Sequence, residues 1–87
     1  MTYKLEFSSK ALKQLKKIDR TSAKLILSYL KKHIDGCDNP RIHGKALKAN
    51  RNGQWRYRIG SYRVIASIED NRLIVTTLEV GHRKDIY

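Results

Sequence analysis

The sequence holds a single cysteine, Cys37, among its 87 residues. An internal disulfide framework is excluded, and with no second cysteine there is no CxxC pair for a metal or redox centre. A reducing cytosol is the compartment that this usage fits. Nowhere is there an uninterrupted apolar run long enough for a membrane span, and the opening MTYKLEFSSK lacks the apolar stretch of a signal peptide. The expectation is a soluble, cytoplasmic chain that makes no contact with membrane. Internal repeats and low-complexity tracts are absent too, so the length points to one domain over residues 1–87. His33, His43 and His82 have no ligand-type spacing, and no metal site is expected from them.

Acid is the other scarcity. Residues 39–68 contain no Asp or Glu, yet they carry Arg41, Lys45, Lys48, Arg51, Arg56, Arg58 and Arg63. Over the whole chain 19 Lys plus Arg stand against 8 Asp plus Glu, a formal charge of +11. A field of that sign attracts polyphosphate. Trp55, Tyr57 and Tyr62, interleaved with the cations, suit stacking on bases unless the core claims them. Periodic apolar positions still argue for a folded chain, with a small core and modest stability at this length.

The apolar periods give the architecture. Tyr3, Leu5 and Phe7 alternate with Lys4 and Glu6, the pattern of a half-buried strand. Ser8 or Ser9 can then cap a helix carrying Ala11, Leu12, Leu15 and Ile18 on one face. Thr21 or Ser22 can cap a second, with Ala23, Ile26, Leu27, Leu30 and Ile34, and Gly36 offers its stop. From Cys37 to Gly53 the residues read as a long basic loop. WRYRIG, YRVIASIE and RLIVTTLEV then read as three strands, turning at Gly60–Ser61 and at Asp70–Asn71. The order β-α-α-β-β-β predicts an α+β two-layer domain. A helical hairpin covers an antiparallel meander that the first strand joins at an edge.

Period-two facing bears on chemistry. Trp55, Tyr57 and Ile59 share one side of their strand, and Arg56 and Arg58 the other. Arg63 on the next strand faces the same way. Like charges so placed cost stability, which a bound polyanion would offset. The competing reading is a merely solvated sheet face with its aromatics in the core.

The opening FSSKALKQLKKID, the stretch HGKALKANRNGQWRYRIGSYRVI and the ending VGHRKDIY together resemble the RelE branch of the RelE/ParE superfamily of bacterial type II toxins. The resemblance covers nearly the whole chain. It implies a ribosome-dependent mRNA endonuclease that works in the A site of the 70S ribosome without metal or cofactor. The message's own 2′-OH attacks the adjacent phosphate, leaving a 2′,3′-cyclic phosphate and a 5′-OH. It also implies a cognate acidic, RelB-like antitoxin, with the toxin a monomer alone and a hetero-oligomer in complex. The family's catalytic positions fall on Arg56, Arg58, Arg63, Arg83 and Tyr87, where SYR stands in place of the family's frequent GYR. The chain stops at Tyr87, so the further C-terminal helix of some members is not expected.

Such a cleavage needs a group for the 2′-OH proton, positive charge on the phosphorane and help for the departing 5′-oxygen. Arginines supply the second through charge-assisted, bidentate contacts. They are poor bases because they stay protonated, although Arg83 could donate to a leaving alkoxide. Tyr87 could serve as base if neighbouring guanidiniums lower its pKa, or could stack on a base of the message. His82 is a competing acid–base or substrate-binding candidate. Lys10, Lys13, Lys17, Arg41, His43, Lys45, Lys48 and Arg51 are expected to dock on RNA or ribosomal RNA, while His33 reads as an ordinary helix residue. The alternative function is a ParE-like, non-enzymatic poison of DNA gyrase; a third is a basic adaptor with no toxicity.

Overall fold

A computed structural model of the chain describes residues 1–47 and 53–82. Its elements are β1 (Lys4–Phe7), α1 (Ser9–Lys17), α2 (Arg20–His33), β2 (Lys45–Ala46), β3 (Gln54–Ile59), β4 (Tyr62–Glu69) and β5 (Ile74–His82). The five strands form one sheet in the order β1-β5-β4-β3-β2. Strand β1 runs parallel to β5, and the other pairs are antiparallel. Among the described residues no helix is long and apolar enough to cross a membrane.

Local chemistry sets the helix ends. The Ser8 hydroxyl accepts from the Ala11 N–H at 3.1 Å and donates to the Leu78 carbonyl at 2.9 Å, so one side chain caps α1 and moors it to β5. For α2 the expected cap at Thr21 or Ser22 gives way to Asp19, whose carboxylate accepts from the Ser22 N–H at 2.9 Å. A carboxylate also suits the positive N-terminal pole of the helix. The helix stops at His33, three residues before Gly36. Gly36 instead gives its N–H to the Tyr3 carbonyl at 2.8 Å, while Tyr3 N–H reaches Cys37 O at 2.9 Å, tying the end of α2 to the entry of β1.

Both helices cover one face of the sheet. Ala11, Leu15, Ile26, Leu30 and Ile34 pack against Tyr57, Ile59, Val64, Ala66, Val75 and Val80. The α1 stripe is narrower than its spacing predicts, since Leu12 stays exposed, and Leu25, outside the predicted α2 stripe, is exposed as well. Tyr57 lies in this core with Trp55 and Tyr62 packed on its border. These three aromatics are therefore engaged on the helix side and do not form the base-stacking set their interleaving with arginine suggested.

The meander has a fault line. Val64 pairs with Val80 and Ile65 with Glu79, but Ala66 pairs with Thr77, leaving Leu78 as an extra residue. Because directly opposed residues share a face, Val75, Thr77 and Val80 turn to the helices while Glu79 and Gly81 turn to the other side.

The basic loop contains an element of its own. Lys45 and Ala46 pair with Arg56 and Trp55, which makes β2 the outer strand. The segment before it is pinned by the Trp55 indole N–H on His43 O at 2.6 Å and the Tyr57 hydroxyl on Pro40 O at 2.7 Å. Gly44 sits at φ 77°, where a Cβ would lie 2.1 Å from the Arg56 carbonyl oxygen, so only glycine lets the chain come this close. The β4–β5 turn is longer than Asp70–Asn71, with Leu73 in a positive-φ conformation.

Burial raises the Tyr57 phenol far above its ordinary value. In the unfolded chain the same group ionises near pH 10, so its contribution to stability is complete below that pH and declines above it, by at most about 1.4 kcal/mol per pH unit. Tyr57→Phe is expected to flatten the alkaline limb of stability against pH relative to the parent, as measured by urea unfolding between pH 9 and about pH 11.5. An unchanged slope would contradict the buried phenol.

Candidate active site

On the face away from the helices, the register lays out two rows. Lys45, Arg56, Ile65 and Glu79 oppose one another across β2, β3, β4 and β5, and Arg58, Arg63 and Gly81 form the next row. Arg58 is thus directly across from Arg63, a pairing that puts Cβ atoms about 4.5–5.5 Å apart. Arg56 precedes them on the same side. Ile65 is fully buried on this face, and the Nε atoms of Arg56 and Arg63 are shielded from solvent. Such a face is not a bare solvated sheet surface; two of its arginines are partly withdrawn from water.

The structure brings Arg56, Arg58 and Arg63 onto one face as their alternation predicts, and it adds Lys45, which the sequence places only in the basic docking loop. Arg83 and Tyr87, and also Lys48 and Arg51, lie outside the described residues. His82 belongs elsewhere: it pairs with Tyr62, and the two rings meet edge to face at 5.6 Å. A cleft of about 450 Å³ lined by Gln14, Lys17, Ile18, Asp19, Tyr62, Val80, Gly81 and His82 opens there, on the helix side.

The docking candidates divide. Lys10 is bound to Glu79 at 3.2 Å. Arg41 grips Asp70 with two hydrogen bonds, 2.9 and 3.1 Å, while the Tyr3 hydroxyl donates to the same carboxylate at 2.6 Å. Arg41 holds the Asp70 carboxyl below the usual range, and the bond to Asp70 in turn raises the Tyr3 phenol. Arg41 also lies 6.0 Å from the centre of the Trp55 ring. Lys13 and Lys17 are exposed on α1. His43 packs on His33 at 5.0 Å between ring centres, and both approach Tyr29, at 6.1 and 4.6 Å.

Two residues of interest escaped the sequence reading. Glu79 is the carboxylate in the Lys45–Arg56 row, and plain alternation from Thr77 would have put the two on one face. Tyr29 reads from spacing as an ordinary helix position. In the fold it borders a second cleft of about 220 Å³ with Gly44, Lys45, Arg56 and Arg58. Burial raises its phenol, which stays neutral near pH 7 and above.

A pair of opposed arginines with a third beside them suits a phosphate in a strained, highly charged state. Known proteins resemble the chain in sequence and in fold. A sequence model described as "ParE toxin of type II toxin-antitoxin system, parDE" matches residues 5–87. A putative RelE-like toxin protein of Escherichia coli is 30% identical over 90 residues, covering 100% of this chain and 92% of the relative. Toxin RelG of Mycobacterium tuberculosis is 30% identical over 87 residues, covering 100% and 98%. Among solved structures, the RelBE2 toxin–antitoxin complex of M. tuberculosis contains a chain similar to this one at a TM-score of 0.81 and 25% identity, with 95% of this chain and 100% of that one covered. A mutant E. coli RelE in the free state superposes at a TM-score of 0.78 and 24% identity, with 99% and 88% covered; at that identity the likeness speaks for the fold.

Proposed function

The chain is a toxin of the RelE branch of the RelE/ParE type II toxin–antitoxin superfamily, and on that footing we propose that it is a metal-independent, ribosome-dependent mRNA endonuclease. The observation that carries the reading is the Arg58–Arg63 opposition with Arg56 alongside. The 2′-oxygen of the message loses its proton and bonds to phosphorus, the P–O5′ bond breaks, and the 5′-oxygen takes up a proton. The products are a 2′,3′-cyclic phosphate and a 5′-OH. Arg56, Arg58 and Arg63 neutralise charge that grows on the phosphorane oxygens. In this reading Arg83 protonates the leaving oxygen and Tyr87 acts as base or stacks on the message. The ribosome supplies proximity by orienting the scissile phosphate.

A chain this basic is expected to be held silent by an acidic RelB-like antitoxin that covers the arginine face or displaces the tail. Support comes from the similar chain in the M. tuberculosis RelBE2 complex. Gyrase poisoning is the second reading, favoured by the ParE description of the matching family.

Purified protein is expected to cut message on programmed ribosomes and free RNA poorly. Arg63→Ala, Arg83→Ala and Tyr87→Phe should each lower the rate at saturating ribosome. Full activity in all three would overturn the site assignment. Intact messages together with supercoiling defects after expression would favour gyrase instead.

A further inference from the structure

The cleft beside Tyr29 has an aromatic wall and a cationic wall. Its lining is Tyr29, Gly44, Lys45, Arg56 and Arg58, with no carboxylate among them. Tyr29 comes from α2, and the cations come from β2 and β3, so the cleft spans the outer edge of the sheet. Its volume, about 220 Å³, is below the roughly 300–1,000 Å³ typical of sites for drug-sized molecules, so the occupant is a small unit or one link of a chain.

Tyr29 does not hang loose over this space. His33, one helical turn on, meets its ring at 4.6 Å, and His43 approaches edge-on at 6.1 Å. His43 is itself held through its carbonyl by the Trp55 indole, and the segment before it by Tyr57 on Pro40. A ring braced in this way can receive a flat partner with little further ordering cost. No group of three or more His, Cys, Asp or Glu side chains able to hold a metal occurs among the described residues, so the two imidazoles are read as braces.

We propose that this cleft is a nucleotide subsite: a base lies against Tyr29 while the phosphate attached to it rests on Lys45 and Arg58. Stacking accepts any base, so the subsite would grip the strand beside the reacting phosphate without choosing a sequence. For its biological ligand the proposal rests on the RNA-cleaving reading; the contacts themselves do not require cleavage. Since Trp55, Tyr57 and Tyr62 are engaged on the helix side, Tyr29 takes the role their spacing suggested for them.

The test is a titration of the full-length protein, followed by NMR at the Tyr29 ring and the Gly44 amide, with adenosine 5′-monophosphate, ribose 5-phosphate and inorganic phosphate. The monophosphate is expected to bind about tenfold or more tightly than ribose 5-phosphate, the range stacking commonly supplies. Tyr29→Phe should keep that preference, and Tyr29→Leu, which preserves apolar packing, should erase it. Equal affinity for the two sugar phosphates, or no binding of either, would overturn the proposal, as would shifts confined to residues away from the cleft. Tighter binding of an acidic peptide than of the nucleotide would overturn it in favour of a protein partner. Nucleotide binding at Tyr29 without message cleavage would leave the subsite standing and remove the nuclease; message cleavage with equal affinity for adenosine 5′-monophosphate and ribose 5-phosphate would do the reverse.

Discussion

Arg58→Ala is expected to move stability and activity in opposite directions. Arg58 is exposed at the end of β3 and directly opposed by Arg63, so its removal loses little packing and relieves a like-charge pair. Stability should rise by about 0.2–1 kcal/mol, the scale of cross-strand pairs. Single-turnover cleavage on programmed ribosomes should meanwhile fall by about 10²–10³, as on losing one preorganised donor to a developing oxyanion. Arg58→Lys should recover only part of the rate, since an ammonium keeps the charge without the planar fork. Thermal unfolding and cleavage measured on the same preparations decide the matter. A less stable variant with undiminished cleavage would mean that the opposition is structural and that the phosphate goes elsewhere.

Gly44→Ala should be the most damaging alanine substitution among the positive-φ glycines Gly36, Gly44, Gly53 and Gly60. A Cβ would stand 2.1 Å from Arg56 O and 2.9 Å from both the Trp55 indole nitrogen and Tyr57 Cδ1, at φ 77°. The left-handed backbone alone costs a non-glycine residue about 1–3 kcal/mol. The overlap with backbone cannot relax by a side-chain turn, so β2 must lift off β3 and the His43–Trp55 bond must break. A loss of about 2 kcal/mol or more would lower Tm by about 10 °C in a domain of this size. Calorimetry reads the shift, and hydrogen exchange at Leu47, whose N–H donates to Gln54 O at 3.0 Å, should quicken first. A Tm within about 2 °C of the parent would show that the edge accommodates the methyl.

The strands from Trp55 to Glu69 were legible because two simple signals agreed there: β-branched and aromatic residues, and strict alternation of arginine with apolar side chains. That agreement places Arg56, Arg58 and Arg63 on one face from the sequence alone. Alternation could not say what would occupy the aromatic face, and the core took Tyr57 because a buried phenol finds a partner in Pro40 O. The cap of α2 was misplaced by two or three residues because Asp19, Thr21 and Ser22 all offer suitable oxygens, and only the turn geometry selects among them. Strand β2 is two residues long and owes its place to Gly44 and to bonds from distant Trp55 and Tyr57, a dependence that no local pattern carries. The Tyr29 cleft, likewise, joins a helix to a sheet edge through residues far apart in sequence.

The extra residue at Leu78 makes β5 a strand that counts its residues. With Leu78 present, Val80 seals the core beside Val64 while Glu79 and Gly81 belong to the arginine side. Were Leu78 paired in step instead of bulged out, plain alternation would turn Glu79 inward with Thr77 and send Val80 toward the cations. What assigns each side chain its face between Thr77 and Gly81 is therefore the bulge itself. Removing Leu78 would erase the bulge and keep both faces, whereas one further residue paired in step beside it would exchange them.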